Sequence, residues 1–426
     1  MKTILHSAAA FVFTFLVGLS LQAETLTGIS MIEEYALSNN IEYKSAILNT
    51  VKAYNDLEYF FTIDESNLSL SGSYSSEKQS PNFQAAASLP LFKQLSLNTS
   101  VNQDLEGSIG FKLSPLTHSD SIEQTRLNYT LALASAESAA EEVKLASVED
   151  YLKWSAAVKE KEIAGKLVDI KKIIYEDEKI RMENGEAVLD DVRETFIKWS
   201  AARTTYNNAV TSFQQAETQL YSTLNADSET TFILPAVTED ILPFIEELSS
   251  SINIDILTIA ESLEVLSSQI ETESLEAEMV STWFFQPSLD IVGAVNFTSG
   301  LTPEFSATIA VTAGLDDFKS TDIDELQTEL NLSREKENRT AADQKLLLNQ
   351  RVTAAETANL NFEKAGVELE QASELYQEAE YLFGLGKYSA AELEETRLLL
   401  ETSKNSLFSA AAGEFTSLRT LITYSP

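Results

Sequence analysis

Few side chains in this chain could carry out covalent or redox chemistry. It has two histidines and no cysteine. His6 lies in an N-terminal stretch that reads as a signal, so a transition-metal site would have to grow around His118 with carboxylates alone. His118 follows Pro115 and reads as a residue at an element boundary. No glycine-rich phosphate loop and no serine nucleophile elbow is present. Carboxylates are plentiful, 66 Asp and Glu against 30 Lys and Arg, for a net charge of -36. That balance disfavours nucleic acid and anionic membrane surfaces as partners. Most of these carboxylates read as solvated helix faces, and no polar constellation supports an enzyme. One polar pair has a defined local role, since Ser389 and Glu392 are spaced as a capping box that starts a helix.

The capping pair belongs to a duplicated unit. Arg181 to Thr195 reappears as Leu382 to Thr396, with Gly185 on Gly386, Asp191 on Glu392 and Thr195 on Thr396, an offset of 201. Ala164-Gly165 falls on Ala365-Gly366 and Arg203 on Lys404 at the same offset. A repeat half the chain long predicts internal pseudo-symmetry.

Proline and glycine punctuate the elements. No proline lies between residues 116 and 234 or between 304 and 425, and Ala, Leu, Glu and Lys fill both spans. Each span therefore predicts long helices. Asp120 to Asn184 would run 65 residues, roughly 98 Å at the α-helical rise. Gly185 and Gly386 are placed to end their helices in the left-handed conformation, giving one helical hairpin per half. Val188 stands where Ser389 stands in the second copy, so the first cap is weaker or uses Asp190. A stripe with coiled-coil spacing follows the first glycine: Val192, Phe196, Trp199, Arg203, Tyr206, Val210, Phe213, Glu217, Leu220 and Leu224. Leu393, Leu400, Leu407, Ala411, Leu418 and Leu421 match it in the second copy, and Ile163, Leu167, Ile170 and Ile174 precede the first turn. Arg203, Glu217, Arg397, Lys404 and Glu414 interrupt the stripe.

Strand-like sequence precedes each long helix. Leu68, Leu70, Gly72 and Tyr74 alternate with serines in Asn67–Ser75, and Leu95, Leu97, Thr99 and Val101 alternate with Ser and Asn. Ile109, Phe111 and Leu113 complete the first set, and Ser288–Phe297 with Glu304–Thr312 form the second. One apolar face and one small polar face suit a membrane β-barrel, although a soluble sheet gives the same alternation. Leu68 matches Leu289 at an offset of 221 rather than 201, so the first half carries about 20 extra residues. Phe83–Leu91 and Leu95–Asn102 look like that added hairpin. Each half opens with an amphipathic helical region: Ile32-Glu33-Glu34 resembles Ile245-Glu246-Glu247, and Asn40-Ile41-Glu42 resembles Asn253-Ile254-Asp255.

The expected organisation is a signal peptide over residues 1–23 and a first repeat over 24–225, with strands across 66–114 and a turn at 185. A linker over 226–243 carries Pro235 and Pro243. The second repeat covers 244–426, with strands across 287–314 and a turn at 386. The fold class is α+β: two repeats of long antiparallel coiled-coil hairpins, each with strands able to join a membrane barrel. Lys2, the apolar run Ala8 to Leu21 and Leu21-Gln22-Ala23 carry the signal reading.

This order of elements, with a glycine at each hairpin turn, resembles the TolC-type outer-membrane efflux family over essentially the whole mature chain. Asn39-Asn40-Ile41 stands where that family often shows Asn-Pro. The resemblance implies a homotrimer whose strands close one barrel in outer-membrane lipid and whose helices line a tunnel through the periplasm. It implies a passive exit duct of a tripartite efflux pump or type I secretion system, with no cofactor. Its hairpin tips would meet a periplasmic adaptor and, directly or through it, an inner-membrane pump. The family pattern gives two strands per half. With the added hairpin a trimer would have eighteen strands, and with residues 77–104 outside the membrane it would have twelve. The family's entrance carboxylates fall on Glu392 and Glu395, three apart on one helix face, so a trimer would form rings that attract cations. Tip and adaptor contacts fall on Gly185, Asp190, Asp191, Gly386, Lys387, Tyr388 and Ser389. Tyr388 occupies the place of a basic residue in TolC, with Lys387 adjacent. The alternative reading is an envelope coiled-coil structural protein or adhesin, which leaves the alternating strands unexplained.

Overall fold

The computed structural model describes residues 25–26, 28–59, 67–75, 80–92, 95–102, 107–113, 119–227, 230–235, 241–252, 257, 262–283, 288–297, 303–312 and 320–422. The signal stretch 1–23, His118 and Asn253-Ile254-Asp255 lie outside the described residues.

The first half opens with β1 (Thr25–Leu26), α1 (Ile29–Asn39) and α2 (Ile41–Tyr59). The break between these helices is made by Asn40, whose backbone is extended at φ -72° and ψ 126°. Its Oδ1 accepts the Tyr43 N–H at 2.8 Å, so this side chain caps the start of α2. Strands β2 (Asn67–Ser75), β3 (Ser80–Phe92), β4 (Leu95–Asn102) and β5 (Gly107–Leu113) follow. The first hairpin is α3 (Ser119–Glu183) and α4 (Leu189–Leu224). After β6 (Thr231–Phe232), the second half runs α5 (Leu242–Ser251), α6 (Leu263–Trp283), β7 (Ser288–Phe297) and β8 (Pro303–Thr312). It ends in α7 (Ser320–Gly384) and α8 (Ala390–Arg419). Both α3 and α7 are 65 residues long, the length expected for the first, and both lie in the proline-free spans that predict long helices.

The chain divides into two compact units, one of residues 1–44, 138–261 and 345–426, the other of 45–137 and 262–344. In the first, Ile29 and Ile32 of α1, Tyr151 and Leu152 of α3, Leu220 and Leu224 of α4 and Phe415 of α8 form one buried core. Burying each such side chain contributes roughly 1.5–3 kcal/mol. The stretch joining the copies is drawn onto this core. β6 pairs in parallel with β1, Thr231 opposite Thr25 and Phe232 opposite Leu26. The Phe232 ring meets Trp154 at 5.6 Å and Tyr221 at 5.3 Å, and the Tyr151 hydroxyl donates to the Ile233 carbonyl.

The hairpin seam departs from the expected stripe by one position. On α4 the second buried row is centred on Thr195, Ala202, Ala209 and Ala216: Ala202 and Ala209 are buried and Thr195 and Ala216 half-buried, as are Val210 and Glu217 of the expected stripe, whereas Phe196 and Arg203 are exposed. The row alternates with Val192, Trp199, Tyr206, Phe213 and Leu220 at steps of three and four. Phe196 is 48% exposed, and Arg203 lies outside the seam with its guanidinium 5.4 Å from the Trp199 ring. α7 repeats the pattern: Ala365, Ala372 and Ala379 are buried at seven-residue spacing, between half-buried Phe362, Leu369 and Tyr376. A small residue every seventh position lets helix backbones approach while large neighbours fill the flanks. Tyr206 uses the space above Gly165, where an added Cβ would lie 3.4 Å from its ring. In α8 the buried row is Leu398, Phe408, Ala411 and Phe415, and the expected Leu400 and Leu407 are only half-buried. Glu414, read as an interruption, is also buried, and one of its oxygens accepts from Asn359 at 2.9 Å.

The second unit contains one six-stranded antiparallel sheet in the order β2-β3-β4-β5-β7-β8. Its pairing is a simple meander except between β5 and β7, where Ile109 sits opposite Val295 and Phe111 opposite Gly293. The Phe111 ring lies over Gly293, where an added Cβ would come within 2.5 Å and the ring would have to move. Helices carry polar cross-links in the same unit: Thr272 and Ser333 hydroxyls meet at 3.0 Å, and Thr50 donates to the Ala132 carbonyl at 2.9 Å.

Arg419 closes the core unit by joining the end of α8 to Glu33 of α1 at 2.7 Å and Glu141 of α3 at 3.3 Å. Burial pushes the Glu141 carboxyl up, but Lys144 and then Arg419 more than offset it and hold it below its ordinary value of 4.5. Its contribution is therefore complete above that value and lost as pH falls through the depressed one. Arg419→Ala is expected to cost about 2 kcal/mol at pH 7, between exposed and buried pairs. Thermal unfolding at pH 7 and pH 4 checks it: the gap between wild type and variant should narrow in acid.

Candidate functional site

The two hairpin turns share one backbone solution. Gly185 and Gly386 have φ of +78° and +71°. The Gly185 N–H donates to the Met182 carbonyl at 3.0 Å and the Glu186 N–H to Arg181 at 2.8 Å. Gly386 and Lys387 donate to Phe383 and Leu382, both at 2.9 Å. These paired bonds end each helix by satisfying its last carbonyls, and the left-handed residue between them is glycine because a Cβ is strained there.

The returning helices start differently. At the second turn the capping box is complete: the Ser389 N–H donates to Glu392 Oε2 at 2.7 Å, and the Glu392 N–H donates to Ser389 Oγ at 3.2 Å. These two Ser389 contacts, backbone first, hold the Glu392 carboxyl below its usual range. At the first turn only the carboxylate half exists. It comes from Asp191, which accepts the Val188 N–H at 3.2 Å, and not from Asp190. Asp190 instead takes a salt bridge from Arg193 at 3.1 Å, one turn along its own helix.

Sequence reasoning pairs Glu392 with Glu395, and the structure gives them separate partners. Glu395 accepts Lys171 Nζ at 2.5 Å, tying α8 of the second hairpin to α3 of the first. The Lys171 side chain is 17% exposed, which no local pattern in the sequence marks. Glu194, the repeat equivalent of Glu395, instead bridges to Lys198 at 2.6 Å on its own helix. The Glu194 hydrogen bond and charge, with a further pull from Glu395, raise the Lys198 pKa. Among the described residues Lys387 makes no salt bridge. Tyr388, Glu392 and Glu395 line an open groove with Ile163, Leu167 and Leu398. Apolar side chains crowd both turns: Ile180, Val188 and Leu189 at the first and Tyr381, Phe383 and Leu385 at the second are exposed. Among the described residues no acidic or histidine cluster could hold a metal.

Solved structures supply the comparison. The open-state MtrE outer membrane channel of Neisseria gonorrhoeae superposes with a TM-score of 0.61 at 13% identity, over 96% of this chain and 95% of that one. CusC, from work on folding and transmembrane channel formation, gives 0.61 at 12% identity over 96% and 95%. The Campylobacter jejuni CmeC outer membrane channel gives 0.58 at 14% identity over 96% and 90%. This chain has the TolC-type channel fold. No family model and no curated protein matches its sequence, so the likeness rests on the arrangement of elements. The turns just described are the hairpin tips of that TolC-type fold.

The caps generate a graded prediction. Ser389→Ala is expected to cost about 1 kcal/mol locally, and Gly386→Ala about 1–2 kcal/mol from backbone strain alone. Val188→Ser should stabilise the first tip by up to about 1 kcal/mol by completing its box. The Glu392 cap is present above the ordinary carboxylate range and lost as pH falls through its lowered pKa. Amide hydrogen exchange over residues 386–396 checks all but the Val188 change, for which residues 185–195 are read.

Proposed function

We propose that this chain is a passive outer-membrane exit duct of a tripartite efflux pump or type I secretion system. Three copies join their strands into one barrel and their hairpins into a periplasmic tunnel. The supporting observation is an exposed apolar row on one face of the sheet: Leu97, Val101, Ile109, Phe111, Phe305 and Ile309. Phe305 reaches 81%, which water does not favour and lipid does. Among the described residues no helix is long and apolar enough to cross a membrane. The duct performs no reaction. An energised inner-membrane pump drives transport, and a periplasmic adaptor docks on the exposed apolar side chains of the tips.

Glu392 and Glu395 are the entrance carboxylates in this reading, and their bonds give them different parts. Glu392 builds the tip. Glu395 is neutralised by Lys171 while the two hairpins are tied, and becomes a free anion when they separate. Three such anions would ring the mouth and draw cations.

Planar-bilayer recording tests both levels. Discrete conductance steps are expected; a protein soluble without detergent and silent in bilayers would instead be the envelope coiled coil. Glu395→Ala should weaken block by a multivalent cation added at the periplasmic side about tenfold. Lys171→Met should strengthen it, and the double variant should resemble Glu395→Ala. Identical block in all four proteins would remove Glu395 from the entrance.

A further inference from the structure

The sheet has two ends. Among the described residues β2 is paired along its length to β3 only, Asn67 opposite Ser88 through Ser75 opposite Ser80, and β8 to β7 only. In lipid the outward N–H and C=O groups of those edges have no water to turn to, so each must find a strand. We infer that the added hairpin β3–β4 is part of the membrane wall. Each copy then contributes six strands, and β8 of one copy pairs with β2 of the next to close an eighteen-stranded barrel in the trimer. This deepens the duct reading and rests on it.

Two observations carry the inference, and a third shows that the closure it needs is possible. First, β3 and β4 are ladder strands: β4 pairs with β3 from Leu95 to Asn102 and with β5 from Leu95 to Val101. A hairpin folded away from the wall would leave β5 to pair with β2, as β8 pairs with β7 in the other half.

Second, β4 carries both faces of the wall. Leu97 lies opposite Phe111 and Ile109 opposite Val295, which in turn lies opposite Phe305. Cross-strand partners share a face, as do residues two apart. Leu97 and Val101 of the added hairpin therefore continue the exposed apolar face of Ile109, Phe111, Phe305 and Ile309. On the other face Ser100 and Ser108 hydroxyls meet at 2.8 Å across β4 and β5. A hairpin standing in water has no reason to hold an apolar row in register with its neighbours.

Third, the strand count is even. β2 and β8 are the first and sixth of an alternating set, so they run in opposite directions. Copies related by rotation about the membrane normal have parallel β2 strands. The β8 of one copy therefore meets the β2 of the next antiparallel, like every other pair in the sheet.

The size follows from strand spacing. Strands about 4.8 Å apart and tilted about 40° each take about 6.3 Å of circumference. Eighteen close at a backbone diameter of about 36 Å, and twelve at about 24 Å. Cryo-electron microscopy of the full protein in lipid nanodiscs counts them. Eighteen strands at the larger diameter are expected. Twelve strands with residues 80–102 projecting from the membrane would overturn the inference and leave the duct intact. The absence of any barrel would overturn both. A variant lacking residues 80–102 provides a second reading: its barrel should narrow by about one third, and an unchanged diameter would overturn the inference. If that variant fails to fold, the wild-type strand count alone decides.

Discussion

The antiparallel sheet leaves an apolar row exposed and, among the described residues, its two edge strands paired on one side each, an arrangement that lipid and neighbouring strands would complete. Edge N–H and C=O groups in hydrocarbon cost several kcal/mol each, and the six outward apolar side chains add their own cost in water. In the duct reading proposed above the chain is organised for assembly, and symmetry supplies the missing strands. The even, alternating count lets identical copies do so without any element swapping place. Each long helix, α3 and α7, returns through a glycine turn.

The helices meet a related constraint by packing small against large. Ala202 and Ala209 in α4 and Ala365, Ala372 and Ala379 in α7 are buried at seven-residue spacing, which keeps each seam narrow over many turns. The outer faces stay free for charge, which absorbs most of the 66 carboxylates. A seam of leucines alone would hold the helices further apart and leave less polar surface between neighbouring stripes.

Much of this was legible because it depends on local rules. The alternation of Asn67–Ser75, Leu95–Asn102 and Ser288–Phe297 sets strand limits that the sheet reproduces residue for residue. Glycine at 185 and 386 marks both turns. What escaped depended on neighbours. Large side chains at Phe196 and Val210 drew the expected stripe one position off the alanine row, because hydrophobic size outweighs alanine in a reading by periodicity. Asp190 and Asp191 are alike until the cap geometry selects Asp191. β1 and β6 are two residues each, too short for any alternation to show. Lys171 and Glu395 are 224 residues apart, and nothing in either local sequence points to the other.

That last pair shows where the duplication stops being symmetric. Glu194 and Glu395 occupy equivalent places, yet the lysine four residues beyond Glu194 has become Leu399, which is exposed. Without a partner on its own helix, Glu395 is free to bond across to Lys171, whose own equivalent is the buried Ala372. The first tip therefore keeps its charges to itself, with Glu194 held by Lys198 and Asp190 by Arg193. The second tip commits one charge to its neighbouring hairpin. The two copies differ at two positions, Lys198 against Leu399 and Lys171 against Ala372, and these differences accompany a directional tie between otherwise similar hairpins. An exposed pair of this kind is worth at most about 1 kcal/mol, and one side chain being mostly buried raises that only modestly. In the duct reading proposed above, a link that weak would hold an orientation and yield to a docking partner, as a reversible entrance requires.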